Sequence, residues 1–397
     1  MMSRPYQIVD ADAHVNPPPT FWEDYLPPHL RELAPKLEHA DDADYVVFEG
    51  KRKKISLIGA QAGRDFKDYK MEGRLSDSRQ GGWMPAARLA DMDQDGMDVA
   101  VLFGGGPLGT GNDELFMASF SAYNRWLADF CSYAPNRFTG VAYVPMRDVG
   151  ETVGLMREAA KMGFTAINIP AFPQSEEKIT PGLAGAAQVM ALTGDPMGAR
   201  RYDNPEFDAV WATAVELDLA LTIHLGARSP RFMEPEKFLA DLPMSKVAMA
   251  EPIGILIYGG VFERFPTLKF CTIESGVGWF AWFANYMDAT WKKQRFWTKS
   301  TLKEPPSFYM DQNVYGSFID EVVGILNRDL PGGKNIMWSS DYPHSETTYP
   351  NSNEVIERIF KGVPEPAKEL ILGGTARKVF RTGDGRAKPV GKSIAAE

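Results

Sequence analysis

The chain carries five histidines, and three of them stand where an apolar run gives way to polar residues. His14 closes Val9-Asp10-Ala11-Asp12-Ala13-His14, His224 closes Ala220-Leu221-Thr222-Ile223-His224, and His344 follows Trp338-Ser339-Ser340-Asp341-Tyr342-Pro343. Two acids take equivalent places, Glu274 after Cys271-Thr272-Ile273 and Asp341 after Met337-Trp338. An imidazole or carboxylate at the end of an apolar strand is costly to bury unless it is paired. The chemistry these residue types offer together is coordination of one divalent ion by Asp12, His14, His224 and Asp341, with Glu274 and His344 beside them. Imidazole with carboxylate suits Zn2+ first, then Mn2+ or Fe2+, and suits Mg2+ or Ca2+ less.

Taken singly, each of these residues has a blander reading as a hydrogen-bonded structural group. The coincidence of several at strand ends favours the metal. His29 and His39 fall in a charged, proline-rich stretch and read as surface side chains. Alternation along the first strand would put Asp10, Asp12 and His14 on one face. Of the two acids, Asp12 is expected to bind metal with His14, and Asp10 to support it.

One motif competes. Gly104-Gly105-Gly106-Pro107-Leu108-Gly109 matches the glycine pattern of a dinucleotide-binding turn. Such a turn needs amide donors at a helix start and an acid at the next strand end. Pro107 removes one amide, and the chain near residue 125 reads as helix with no strand-end acid. A loop over the mouth of the fold is the better expectation.

The elements that must position these groups can be read from the same runs. Eight strand-like stretches occur at Gln7–Asp12, Val99–Phe103, Phe138–Val144, Phe164–Ile169, Ala220–His224, Lys269–Glu274, Asn313–Phe318 and Asn335–Ser340. Several are nearly all apolar, as strands buried on both faces of a parallel sheet must be. Helical patterns lie between most of them: Pro85 to Asp95, Asp113 to Tyr133, Glu151 to Met162, Pro205 to Leu217 with Asn204 as N-cap, Met244 to Phe265, Gly276 to Lys293, Ile319 to Arg328 and Asn353 to Phe360. The expected fold class is α/β, a (β/α)8 TIM barrel with a long insertion after strand 1; an open doubly wound sheet is the rival. Residues 1–381 are expected to form a single catalytic domain, with 17–84 inserted at the barrel mouth. Residues 171–202 are expected as an active-site loop, and 382–397 as a polar tail.

The net charge of −9 and the lack of long basic blocks exclude nucleic acid and anionic membranes as main partners. Cys131 and Cys271 lie in no C-x-x-C pattern, so a disulfide framework is not expected. There is neither a signal-like start nor an apolar stretch long enough for a bilayer. The expectation is a cytoplasmic protein acting on a small molecule, with a homodimer as a further expectation.

The segments Val9-Asp10-Ala11-Asp12-Ala13-His14, Thr222-Ile223-His224-Leu225-Gly226, Glu274-Ser275-Gly276 and Ser340-Asp341-Tyr342-Pro343-His344 resemble the amidohydrolase-related group of the amidohydrolase superfamily, in order and spacing, from about residue 7 to 380. The group includes aminocarboxymuconate-semialdehyde decarboxylase and γ-resorcylate decarboxylase. The resemblance implies that Asp12-x-His14 stands for the group's opening ligand pair. His224 then stands for the ligand on strand five, and Asp341 for the aspartate that binds metal and moves protons. Three departures are visible. Asp12 replaces His or Glu, Glu274 replaces a histidine near the substrate, and Thr375-Ala376-Arg377-Lys378 replaces the usual Asn-Ala-x-Arg.

The implied activity is metal-assisted decarboxylation of a small aromatic or unsaturated carboxylic acid. Asp341, Glu274 and His344 would be its catalytic residues. Arg228, four residues past His224, could pair with a substrate carboxylate, or form a surface salt bridge. The same parts could instead hydrolyse a bond with metal-activated water. A reading of another class is a catalytically silent barrel that only binds.

Overall fold

A computed structural model describes residues 5–174, 194–195, 198, 200–224 and 234–383. Arg228, most of the expected loop at 171–202 and nearly all of the tail lie outside the described residues. Eight parallel strands appear where the apolar runs placed them. They are β1 (Val9–Val15), β2 (Val99–Gly104), β3 (Phe138–Gly140 continuing as Ala142–Tyr143), β4 (Ala166–Asn168), β5 (Ala220–His224), β6 (Phe270–Ile273), β7 (Val314–Phe318) and β8 (Ile336–Trp338).

The first half of β3 pairs with β2 and its second half with β4. At the break between the halves, the Val141 N–H donates to the Leu102 carbonyl at 3.0 Å. From β4 the ladder runs in order to β8. The ring closes just past the end of β8, where the Asp341 N–H donates to the Asp12 carbonyl at 3.0 Å and the His14 N–H to the Tyr342 carbonyl. The fold is the closed (β/α)8 barrel, and the open sheet is set aside.

Alternation along the strands sorts the side chains into two cores. Val9, Ala11, Val101, Phe103, Ala220, Cys271 and Met337 fill the barrel interior. Ala100, Leu102, Leu221, Ile223, Phe270 and Trp338 face the surrounding helices. Helix Thr375–Phe380 adds Ala376, Val379 and Phe380 to the interior core, and Thr165 Oγ1 hydrogen-bonds the Phe380 carbonyl, so this helix plugs the barrel. No helix among the described residues is long and apolar enough to cross a membrane.

Strand β1 breaks the simple alternation. Asp10 pairs with Ala100, yet Ala13 pairs with Leu102, so three steps on β1 match two on β2. This bulge reverses the facing of the strand. Val9 and Ala11 point inward before it, whereas Ala13 and Val15 join the outer core after it. Asp12 and His14 therefore face the barrel mouth, and Asp10 does not share their face as the alternation rule had it. Asp10 instead ties β1 to the end of β8. Its Oδ1 accepts the Ser340 N–H at 2.8 Å and the Asp12 N–H at 3.3 Å, and its Oδ2 accepts the Ser340 hydroxyl.

The helices follow the expected pattern with local differences. Helix Pro85–Asp95 ends at Gly96, which takes the left-handed φ of +78° that a C-terminal glycine supplies without steric cost. The expected helix at 244–265 is three helices, Pro235–Val247, Ala250–Tyr258 and Val261–Arg264, the last two parted at Gly259-Gly260. The first of these runs through Pro243, which is why the sequence did not mark it. Asn204 makes no side-chain cap, and residues 205–207 form a 3-10 turn before helix Asp208–Glu216. The expected helix at 319–328 shrinks to Val323–Leu326.

Between β1 and helix Pro85–Asp95 lies a small antiparallel sheet of Lys36–His39, Asp44–Phe48, Lys51–Ser56 and Glu72–Gly73. The segment between its last two strands is fastened to the rim beside β8. Ser345 N–H donates to the Ile58 carbonyl and Ala62 N–H to the Pro343 carbonyl, both at 3.1 Å.

The Asp10 clasp makes a prediction. Asp10→Ala strips acceptors from two buried backbone donors, and each orphaned donor costs about 1–3 kcal/mol. Asp10→Asn keeps one oxygen for them and should lose much less. Denaturant unfolding of both variants checks this, and an Asp10→Ala protein as stable as the wild type would show that the clasp is not holding the barrel shut.

Candidate metal centre

The bulge delivers Asp12 and His14 to the C-terminal mouth of the barrel, where β5, β6 and β8 bring His224, Glu274 and Asp341. Asp12 Oδ1 lies 3.3 Å from His14 Nε2 and 3.2 Å from His224 Nε2. His14 Nε2 is also 3.0 Å from Asp341 Oδ1, and His344 Nδ1 approaches the same oxygen to 3.1 Å. Ligand atoms held about 2.0–2.2 Å from one ion stand roughly 3–3.5 Å apart, the spacing seen here. The His344 ring stacks on His14 with centroids 3.6 Å apart, and His224 meets His14 edge-on at 4.9 Å. Donor atoms from Asp12, His14, His224 and Glu274, and again from His14, Glu274, Asp341 and His344, lie within 4.8 Å of one another.

The backbone is bent to make this possible. Glu274 and Asp341, each just past its strand, both adopt φ of +56°. Non-glycine residues are uncommon in that region, and the cost is tolerated where the surroundings hold the conformation. Around Asp341, the hydrogen bonds to the Asp12 carbonyl and from the His344 N–H do so; at Glu274 the Ser317 hydroxyl accepts the N–H at 2.9 Å.

The electrostatics call for a cation. Asp12 and Asp341 are fully buried. Burial pushes their carboxyls up, but His224 and His14 beside Asp12, and His344 and His14 beside Asp341, outweigh it and hold both well below the usual carboxylate range. His14 moves the other way. Burial pushes its imidazole down, yet Asp12 and Asp341 carry it up to about 10.

Even so, Asp12 Oδ2, His14 Nε2, Glu274 Oε2 and both Asp341 oxygens are buried without a hydrogen-bond partner. The 3.0 Å approach of His14 to Asp341 is close enough for an ion pair but not aligned as a hydrogen bond. Unpaired buried carboxylate oxygens are expensive. A divalent ion among them would satisfy several at once, and the donor set fits one. Glu274 reaches His224 Nδ1 only at 3.7 Å, on the side of the ring away from Asp12. That position suits a carboxylate orienting a ligating imidazole through its second nitrogen.

The sequence-derived residues thus converge, apart from Arg228, which lies outside the described residues. His29 and His39 are far from the centre's chemistry, paired with Glu114 and Asp44 on the surface side. Sequence reasoning missed Lys246. It comes from helix Pro235–Val247 and binds Glu274 Oε1 and Glu346 Oε2. It also missed buried Arg88, which donates to the His14 carbonyl and lies 4.3 Å over the Tyr342 ring, bracing both closing strands. Neither belongs to a motif, and only the packed helices reveal them.

The chain is similar to known proteins over nearly its whole length. A family model described as amidohydrolase matches residues 9–382. The 2-amino-3-carboxymuconate-6-semialdehyde decarboxylase of Dictyostelium discoideum is 24% identical over 305 residues, covering 74% of this chain and 76% of that protein. Gamma-resorcylate decarboxylase of a Polaromonas species is 22% identical over 321 residues, covering 74% and 86%. A solved amidohydrolase from Mycobacterium avium subsp. paratuberculosis shares the fold with TM-score 0.71 at 19% identity, over 95% of this chain and all of that one. The 5-carboxyvanillate decarboxylase of Novosphingobium aromaticivorans, solved with manganese and 4-hydroxy-3-methoxy-5-nitrobenzoic acid, does so with TM-score 0.63 at 19% identity, over 95% and 96%.

The raised His14 has a measurable consequence. With its pKa near 10, His14 carries a proton at neutral pH that a ligating nitrogen cannot keep. Loading Zn2+ or Mn2+ should release that proton. The apparent affinity should then rise about tenfold per pH unit per proton displaced. Calorimetric titration at pH 6.5 to 8 in buffers of different ionisation enthalpy reads this directly. Affinity that does not change with pH would mean that His14 is not displaced.

Proposed function

The chain belongs to the amidohydrolase family, and on that premise we propose that it is a metal-dependent decarboxylase of a small aromatic or unsaturated carboxylic acid. The observation that carries the reading is the set of buried, unpartnered ligand atoms on Asp12, His14 and Asp341 at the barrel mouth, with an unpartnered oxygen of Glu274 beside them. Two decarboxylases among its relatives support the choice of reaction. Residues 1–381 are taken as one catalytic domain with 17–84 inserted at its mouth. The ligands are Asp12, His14, His224 and Asp341. The ion is Zn2+ on the preference of the donor set, with Mn2+ as the rival raised by the Novosphingobium enzyme.

When bound, the ion would hold the substrate's oxygens and stabilise negative charge that develops on them. The rest falls to side chains. Asp341 stands between His14 and His344 and is held as a carboxylate by both. A proton relayed from the solvent side, where His344 is 24% exposed and 3.1 Å away, would cross Asp341 only in the course of the reaction. Asp341 then delivers that proton to the carbon that loses CO2. The carbon–carboxylate bond breaks, its electron pair takes the proton, and CO2 departs. Glu274 keeps His224 oriented, and Phe103, with its ring 4.8 Å from His224, supplies an apolar wall.

Two features support the remaining parts. The free, buried thiols Cys131 and Cys271 suit a reducing cytoplasm. The exposed rings of Trp282, Tyr286, Phe296 and Trp297 offer surface for a second copy.

Asp341→Asn should keep the fold and much of the metal, because an amide still offers one oxygen. It cannot pass a proton, so turnover should fall about 10²–10⁴-fold. His344→Ala should cost less. The assay is CO2 release by the metal-loaded protein from hydroxybenzoic and muconate-type acids. Turnover without CO2 would point to hydrolysis, and an Asp341→Asn protein retaining a tenth of the wild-type rate would place the proton elsewhere.

A further inference from the structure

Lys246 is a cation built into the wall of the centre. Its Nζ binds Glu274 Oε1 at 2.5 Å and Glu346 Oε2 at 3.1 Å. Glu274 offers an oxygen to both sets of donor atoms that lie within 4.8 Å of one another, and its Oε2 is buried without a hydrogen-bond partner. The ammonium therefore stands one carboxyl group away from the metal donors. It lies at the last turn of helix Pro235–Val247, with its side chain only 16% exposed. An ammonium removed from water in this way attracts an anion more strongly than a surface lysine does.

Its two partners differ. Glu274 is 3% exposed and locked, with its backbone in the left-handed region and its N–H donated to Ser317 Oγ. Glu346 sits at the rim with its side chain 35% exposed, so of the two it is the partner with room to turn out to water. Asp12, Asp341, Glu274 and Glu346 also gather negative charge around the mouth, which opposes entry of an anionic acid. A divalent ion compensates for one acidic group of a substrate. A second acidic group needs a second cation.

We propose that Lys246 reads the substrate: its ammonium releases Glu346 and takes an anionic oxygen of a second acidic group, so the enzyme prefers aromatic or unsaturated diacids to monoacids. This rests on the carboxylic-acid reading above and names the substrate class within it. Lys246 is a specificity residue, and Glu346 is the internal ligand it exchanges.

The test is binding to metal-loaded protein, which needs no turnover. Benzoate and the three benzenedicarboxylates serve as probes for wild type, Lys246→Met, Lys246→Arg and Glu346→Gln, with metal content measured for each. In the wild type at least one dicarboxylate should bind tighter than benzoate. A charge-assisted hydrogen bond is worth about tenfold or more in affinity. Lys246→Met should lose about that factor for the dicarboxylate and little for benzoate, Lys246→Arg should keep most of it, and Glu346→Gln should tighten dicarboxylate binding. Wild type that does not distinguish the probes, or Lys246→Met that weakens both equally, overturns the proposal and leaves Lys246 as a strut for Glu274. If Lys246→Met does not fold, Glu346→Gln decides alone: unchanged or weaker dicarboxylate binding overturns it. Failure to release CO2 from any acid would sink the decarboxylase reading without altering these binding outcomes.

Discussion

Two carboxylates are buried against one imidazole. Asp12 and Asp341 both approach His14 Nε2, at 3.3 and 3.0 Å, in a place that water does not reach. Such an arrangement calls for further positive charge, because both anions give up their water and Asp12 Oδ2 and both Asp341 oxygens are left without a hydrogen-bond partner. The protein accepts that cost at the seam where its barrel closes. The Asp341 N–H donates to the Asp12 carbonyl, the His14 N–H to the Tyr342 carbonyl, and Asp10 grips Ser340 from the other face of the strand. Closure of the barrel and assembly of the site are therefore the same event.

This coupling accounts for several features that look unrelated. The bulge in β1 turns Asp12 and His14 inward while leaving Asp10 for the clasp. The left-handed backbones at Glu274 and Asp341 turn their carboxylates across the mouth. Arg88 is buried beneath, its charge set against the His14 carbonyl and the Tyr342 ring. Gly59 lies over His344, and a Cβ there would come within 3.3 Å of the imidazole, so the segment after β1 also forms part of the wall. Each of these departures from regular structure concerns a residue of the centre or its immediate support. Strain is expected to collect where function over-determines the structure.

Much of this was legible in the sequence, for physical reasons. Strands buried on both faces must be apolar nearly throughout, so Val99–Phe103 or Ala220–His224 announce themselves. A polar residue that ends such a run, such as His224 or Asp341, is conspicuous because burial there needs a reason. The bulge was not legible, since alternation is a local rule and an extra residue shows only in the register with β2. The start of helix Pro235–Val247 was hidden by Pro243, whereas Lys246 fell inside the expected helix with nothing to mark it as part of the centre. The role of Lys246 depends on which strand end its helix reaches, which is a property of tertiary packing. The small sheet of residues 36–73 was masked by its charged, half-exposed strands Lys36–His39 and Lys51–Ser56, although Asp44–Phe48 carries an apolar run.

A single divalent ion would resolve the charge conflict at the seam. The most direct measurement is anomalous diffraction at the zinc and manganese absorption edges, from crystals of the full chain loaded with one equivalent of either metal. One strong peak is expected, enclosed by Asp12, His14, His224 and Asp341 at bonding distances of about 2.0–2.2 Å. A loaded protein with no peak there, or with its ion bound away from these four side chains, would contradict the single-ion centre.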